Sequence, residues 1–108
     1  MKKLLICTAA LALGLPAASF ADPAPSVTVS DRGLDLQSPT DAARMLQRID
    51  NAALEACGAD RTSLREYRLV VEHSACHRDG VAQAVSALDA PSVTALYQDR
   101  VEARPPEN

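Results

Sequence analysis

The chain has 108 residues, of which 47% are hydrophobic and only 3% aromatic, and its formal net charge is −3 at pH 7. An acidic chain repels the phosphates of nucleic acids and of anionic membranes, so both classes of partner are disfavoured. The shortage of aromatic side chains argues against a platform for stacked bases, and the length corresponds to one small domain.

The first predicted element is a secretory signal peptide over residues 1–21. Lys2 and Lys3 precede an uncharged apolar run at 4–15, and small residues occupy the two positions that a signal peptidase reads. This order is typical of a signal that is cleaved after Ala21, and the apolar run is too short to span a bilayer. Cleavage leaves 87 residues with nine arginines and 14 acidic side chains. We therefore expect a periplasmic or secreted protein with no membrane attachment after cleavage.

Two short extended pieces are predicted after the cleavage site. Residues 22–26 are rich in proline and are expected to form a flexible leader. Residues 27–29 are β-branched and alternate like a short strand, and a turn separates them from a second alternating piece at 34–36. A single strand cannot satisfy its own backbone hydrogen bonds. Its partner would be the second piece or the same strand of another copy of the protein.

A long first helix is predicted to begin at Pro39 and to stop at Cys57. Ser38 is a suitable N-cap and Pro39 suits the first helical position. Apolar residues then recur with helical spacing up to residue 56. Gly58 follows Cys57 and can adopt the left-handed conformation that often ends a helix.

Cys57 and Cys76 remain after signal cleavage and are predicted to form a disulfide, because exported thiols oxidise. The bond closes a loop of about 20 residues, worth on the order of 3 kcal/mol. A continuous helix over 64–88, packed against the first, would separate these cysteines by roughly 18 Å. A disulfide tolerates only about 4.4–6.8 Å between Cα atoms. We therefore predict a break in the helix within residues 70–74.

The rest of the chain is predicted to be helical up to residue 99. Ser63 and Glu66 have the spacing of a capping box at the start of a second helix. Helices are predicted over 64–70, 74–88 and 92–99, followed by a flexible tail at 100–108. The predicted fold is a mainly α domain over 27–99, with three to four helices, a short N-terminal extended segment and one disulfide.

The order of several short motifs resembles the UrcA family of small exported bacterial proteins. These motifs are Leu34-Asp35-Leu36-x-Ser38-Pro39 before an alanine-rich helix, Cys57-Gly58, Cys76, and Pro-x-x-Thr-Ala-Leu at 91–96. The resemblance covers about residues 27–97. Family members usually carry Tyr and Asp before the Leu-Asp-Leu element, where this chain has Asp31 and Gly33. The resemblance implies a periplasmic protein of unknown function, and it assigns no catalytic or binding residue.

His73, Cys76 and His77 are the residues with the most distinctive potential chemistry. Two histidines four residues apart on one helix can bind one metal ion, and Cys76 or Glu72 could join them. The alternative is that Cys76 is oxidised and that His77 packs on the apolar stripe of its helix. No carboxylate or nucleophile has a spacing that specifies a reaction, so we predict no enzyme and no cofactor. The preferred function is a protein-interaction or structural module that binds an unknown protein or itself, and the alternative is a metal or small-ligand binder.

Overall fold

The computed structural model describes residues 26–106. The predicted signal peptide, its cleavage after Ala21 and residues 22–25 of the predicted leader lie outside the described residues. The described residues form four helices: α1 at Pro39–Ala56, α2 at Arg65–Glu72, α3 at Ala75–Leu88 and α4 at Pro91–Glu102. The prediction of a mainly α domain with one disulfide is therefore confirmed.

The ends of α1 lie where the sequence predicts them. Ser38 is the N-cap residue and Pro39 occupies the first turn, although the Ser38 side chain makes no capping hydrogen bond. Gly58, one residue past the C-cap, has φ +95°, a conformation that is strained for any residue with a Cβ. The chain then turns back, because the Ala59 amide donates to the Leu54 carbonyl.

The predicted interruption before α3 is also present. Ser74 is the N-cap of α3, and its hydroxyl accepts a hydrogen bond from the His77 amide at 3.2 Å. The same hydroxyl donates to the Val71 carbonyl at 2.6 Å, which ties the end of α2 to the start of α3. One serine thus fixes the change of chain direction between the two helices.

α4 is longer than the sequence predicts. It begins at Pro91 and ends at Glu102, three residues beyond the predicted end at Asp99. Arg100, which the sequence places in the flexible tail, instead forms an ion pair with Asp50 of α1. This contact between the end of α4 and α1 has no signal in the local sequence, because the two residues lie 50 positions apart.

The core is built on one face of α1. α1 contributes its central apolar stripe, α3 adds two valines, the α3–α4 junction adds an alanine, and α4 adds a valine. The buried members are Ala42, Met45, Leu46, Ile49, Ala53, Val81, Val85, Ala90 and Val93. α2 contributes nothing to this cluster and packs on a smaller one formed by Leu54, Ala59 and Val71.

The N-terminal segment is not a β-strand. Residues 26–30 are neither helix nor strand, and the described residues contain no strand with which they could pair. Val29, Leu34 and Leu36 instead pack against the main core. The alternating apolar residues are therefore partly buried against helices and do not form a sheet. The Arg48 guanidinium holds this segment to α1 by donating to the carbonyls of Ser30 and Arg32 at 2.8 and 3.2 Å.

Candidate interaction surface

Most of the exposed large apolar side chains in the described residues lie on α2 or at its N-cap. Leu64, Tyr67 and Val70 have 77, 50 and 68% of their surface exposed, and Leu69 has 42%. Val71 is the only buried residue of this eight-residue helix. Clustered exposed apolar side chains are typical of surfaces that contact other molecules. α2 is therefore the candidate functional element.

A small apolar cluster and the disulfide help to hold α2 in place. Val71 packs on Leu54 and Ala59, with Cys57 at the edge of this small cluster. The disulfide joins Cys57, the C-cap of α1, to Cys76 near the start of α3, with the two Cα atoms 6.0 Å apart. The predicted disulfide is thus confirmed. Because it closes the loop that contains α2, it restrains a helix that buries little apolar surface of its own.

The loop before α2 is organised by Asp60. Its Oδ1 accepts hydrogen bonds from the Thr62 amide and hydroxyl, both at 2.7 Å, and from the Ser63 amide at 3.0 Å. The hydrogen bonds from Thr62 are the main reason that the pKa of Asp60 is lowered from its ordinary value of 3.8, since they favour the ionised carboxylate. The loop that leads into α2 is therefore a structured turn.

The predicted capping box at the start of α2 is wrong. Leu64 is the N-cap residue, and no side chain caps the helix. The Ser63 hydroxyl instead accepts from the Asp60 amide at 3.0 Å and donates to the Asp60 carboxylate at 3.3 Å. A nearby aspartate competes for the serine in a turn that closes before the helix begins, and the capping-box spacing does not reveal that competition.

The two histidines considered as a metal-binding pair do not lie on one helix. His73 is the exposed C-cap of α2, whereas His77 lies in α3 and is 92% buried, since 8% of its surface is accessible. Ser74 separates the two helices, so the four-residue spacing does not place both imidazoles on one helical face. Cys76 is held in the disulfide. Among residues 26–106, no group of three or more His, Cys, Asp or Glu side chains is arranged to hold a metal ion.

His77 belongs to the packing between helices, as the alternative prediction states. Its Nε2 lies 3.8 Å from Asp50 Oδ1, too far for a hydrogen bond, and this buried nitrogen has no hydrogen-bond partner. Asp50 directs its other oxygen to Arg100. The three residues connect α1, α3 and α4.

An open cleft lies between the N-terminal segment, α1, the Asp60 loop and α2. It has a volume of about 730 Å³, and its walls combine Val27, Val29 and Leu54 with charged side chains. The charged residues are Arg48, Glu55, Asp60, Arg61, Arg68 and Glu72. Arg48 is already engaged by backbone carbonyls, and Asp60 by its own loop. The mixed charges select no single class of small ligand.

The described helices include none that is both long and apolar enough to cross a membrane. Comparisons with models of protein families, with curated protein sequences and with solved structures each find no match.

Sequence reasoning missed the α2 surface, although the sequence contains a signal for it. Residues 64, 67, 69, 70 and 71 are all apolar, and they are spread around most of the circumference of a helix that turns 100° per residue. A single short helix at the edge of a domain can bury only one side. Some of these five apolar residues must therefore be exposed. The packing of Val71 against the small core cluster determines which ones they are.

Proposed function

We propose that this chain is an exported, non-catalytic protein-interaction module, stapled by one disulfide, whose binding surface is the exposed apolar side of α2. The observation that carries the proposal is the exposure of Leu64, Tyr67 and Val70 on a helix that the Cys57–Cys76 bond holds in place. A restrained apolar helix loses little conformational entropy on binding, which favours recognition.

The proposal includes export to the periplasm and membership of the UrcA family. The charged start, apolar run and small residues before Asp22 support cleavage after Ala21. A disulfide between the two remaining cysteines is consistent with an oxidising compartment. The family resemblance rests on the order of motifs over residues 27–97, and it supports a role in the envelope without assigning an activity.

Site-specific photo-crosslinking of the exported protein tests this function. A photoreactive amino acid replaces Val70 in one variant and Gln47, an exposed residue of α1, in a matched control. Both proteins are irradiated in the periplasm of a bacterial host and analysed by mass. We expect a discrete protein adduct from position 70 and none from position 47. No adduct at position 70, or the same adducts at both positions, contradicts the proposal.

A further inference from the structure

The outward side of α2 carries a stripe with opposite charge character at its two ends. Glu66, Val70 and His73 follow one another at intervals of four and three residues and are all exposed. This spacing places them on one face of the helix. Tyr67 and Leu69 flank Val70 and are about half exposed. The stripe therefore has an acid at its N-terminal end, an apolar centre and a histidine at its C-terminal end.

This order is complementary to itself when two copies of α2 run antiparallel. With Val70 opposite the same residue of the other copy, each Glu66 lies opposite a His73. The helical rise of about 1.5 Å per residue puts Glu66 roughly 6 Å and His73 roughly 4.5 Å from Val70 along the helix axis. Glu66 of one copy and His73 of the other are therefore offset by only about 1.5 Å, which their side chains can span. A parallel arrangement would instead oppose Glu66 to Glu66, which is unfavourable.

The other charged side chains of α2, which are Arg65, Arg68 and Glu72, lie at least about 140° around the helix from Val70, outside the stripe. Arg68 and Glu72 line the cleft towards α1, on the opposite side of the helix from Val70. Val71, which faces the small core cluster, fixes the orientation of the helix. The Glu66–Val70–His73 stripe is thus left free for contact with another molecule.

We infer that the partner of the α2 surface is a second copy of this chain, bound as a two-fold symmetric dimer through antiparallel α2 helices. This inference rests on the proposed interaction function and names its partner. A two-fold interface uses the same patch on both subunits, so a patch that is complementary to itself fits it. An eight-residue helix is only about 12 Å long, so the interface belongs to the small, transient class and association depends on concentration.

Sedimentation equilibrium of the oxidised protein recovered after export tests the inference, over a range of concentrations in a pH 6 buffer. We expect a monomer–dimer equilibrium whose association constant falls about tenfold in Glu66→Lys, because two opposing pairs are lost. The variant Glu66→Lys/His73→Glu exchanges the charges and should restore the association constant to within about threefold.

Two controls keep the result interpretable. Glu55→Lys makes the same charge change at an exposed position of α1 and should leave association unchanged. Val70→Gln removes the apolar centre without changing charge and should weaken the dimer, so the test does not depend on Glu66→Lys folding. A wild-type protein that stays monomeric throughout, or a dimer that is indifferent to Glu66→Lys and Val70→Gln, overturns the inference.

The failure of this inference can be told apart from the failure of the proposed function. If position 70 crosslinks to a different protein while the wild-type chain remains monomeric, the second-copy inference is overturned and the interaction function stands. If position 70 gives no adduct and the chain is monomeric, both are overturned. An adduct with twice the mass of the chain supports both the inference and the proposed function. It should be lost when Glu66→Lys is added to the position-70 variant, and it should return with Glu66→Lys/His73→Glu.

Discussion

Cys57 and Cys76 join the C-terminal end of α1 to the first turn of α3, with 6.0 Å between their Cα atoms. The 19-residue separation between them contains the Asp60 loop and the whole of α2. A helix with one buried residue is therefore enclosed by a covalent link. This relationship explains how an apolar surface can remain exposed on a helix that is still held against the domain.

Removal of the disulfide should destabilise the domain. Replacement of both cysteines in Cys57→Ser/Cys76→Ser frees a loop of about 20 residues in the unfolded chain and should lower the free energy of unfolding by about 3 kcal/mol. Urea denaturation of the oxidised protein and the double variant measures the difference. Hydrogen exchange should show that α2 loses protection before α1 does. Equal stability of the two proteins would mean that the link does not restrain the fold.

The adjacent residues Val70 and Val71 should respond in opposite ways to the same substitution. Val71 is 6% exposed in the small core cluster, so Val71→Ala should cost about 2 kcal/mol of unfolding free energy. Val70 is 68% exposed, so Val70→Ala should change stability by less than about 0.5 kcal/mol. Chemical denaturation of both variants tests the orientation of α2, and a larger loss at Val70 would show that the helix is rotated.

Two glycines provide another matched pair. A Cβ added at Gly80 of α3 would lie 3.5 Å from the Cβ of Ala53 in α1, which is an ordinary van der Waals contact between the two helices. Gly80→Ala should therefore stabilise the protein by about 0.5–1 kcal/mol, because alanine favours the helix. Gly58→Ala should destabilise by about 1 kcal/mol or more, because Gly58 has φ +95°. Thermal unfolding measures both signs, and destabilisation by Gly80→Ala would indicate closer helix packing there.

The Asp60 loop should show a specific dependence on pH. Because hydrogen bonds from Thr62 and Ser63 lower the Asp60 pKa below 3.8, ionised Asp60 stabilises the folded state. This contribution is complete above the ordinary pKa and is lost as pH falls through the lower, folded-state pKa. NMR titration of the Asp60 carboxyl should give a midpoint below 3.8. Asp60→Ala should reduce stability more at pH 6 than at pH 2, and a pH-independent difference would contradict this account.

The sequence predicts a structural feature correctly where the feature depends on a short local pattern or on the geometry of the disulfide. The limits of α1 follow from Ser38-Pro39 at one end and Cys57-Gly58 at the other. The break near Ser74 follows from the geometry that a Cys57–Cys76 bond requires. Both predictions are confirmed because each depends on a few neighbouring residues or on one distance.

The remaining features depend on competition between distant or alternative partners. Ser63 and Glu66 have the spacing of a capping box, yet the Ser63 hydroxyl forms hydrogen bonds with Asp60 instead. Residues 27–29 alternate like a strand, yet Val29 packs on helices because the described residues offer no strand partner. His73 and His77 are four residues apart, yet a helix boundary separates them. In each case the local pattern is present and the tertiary structure uses it differently.

Native mass spectrometry of the protein recovered from the periplasm without reductant or chelator tests both its export and its disulfide. We expect a chain that begins at Asp22, whose mass corresponds to one Cys57–Cys76 disulfide, and that occurs as monomer and dimer. A chain that retains residues 1–21, or that carries two free thiols at Cys57 and Cys76, would contradict an exported module whose binding helix is held by a disulfide.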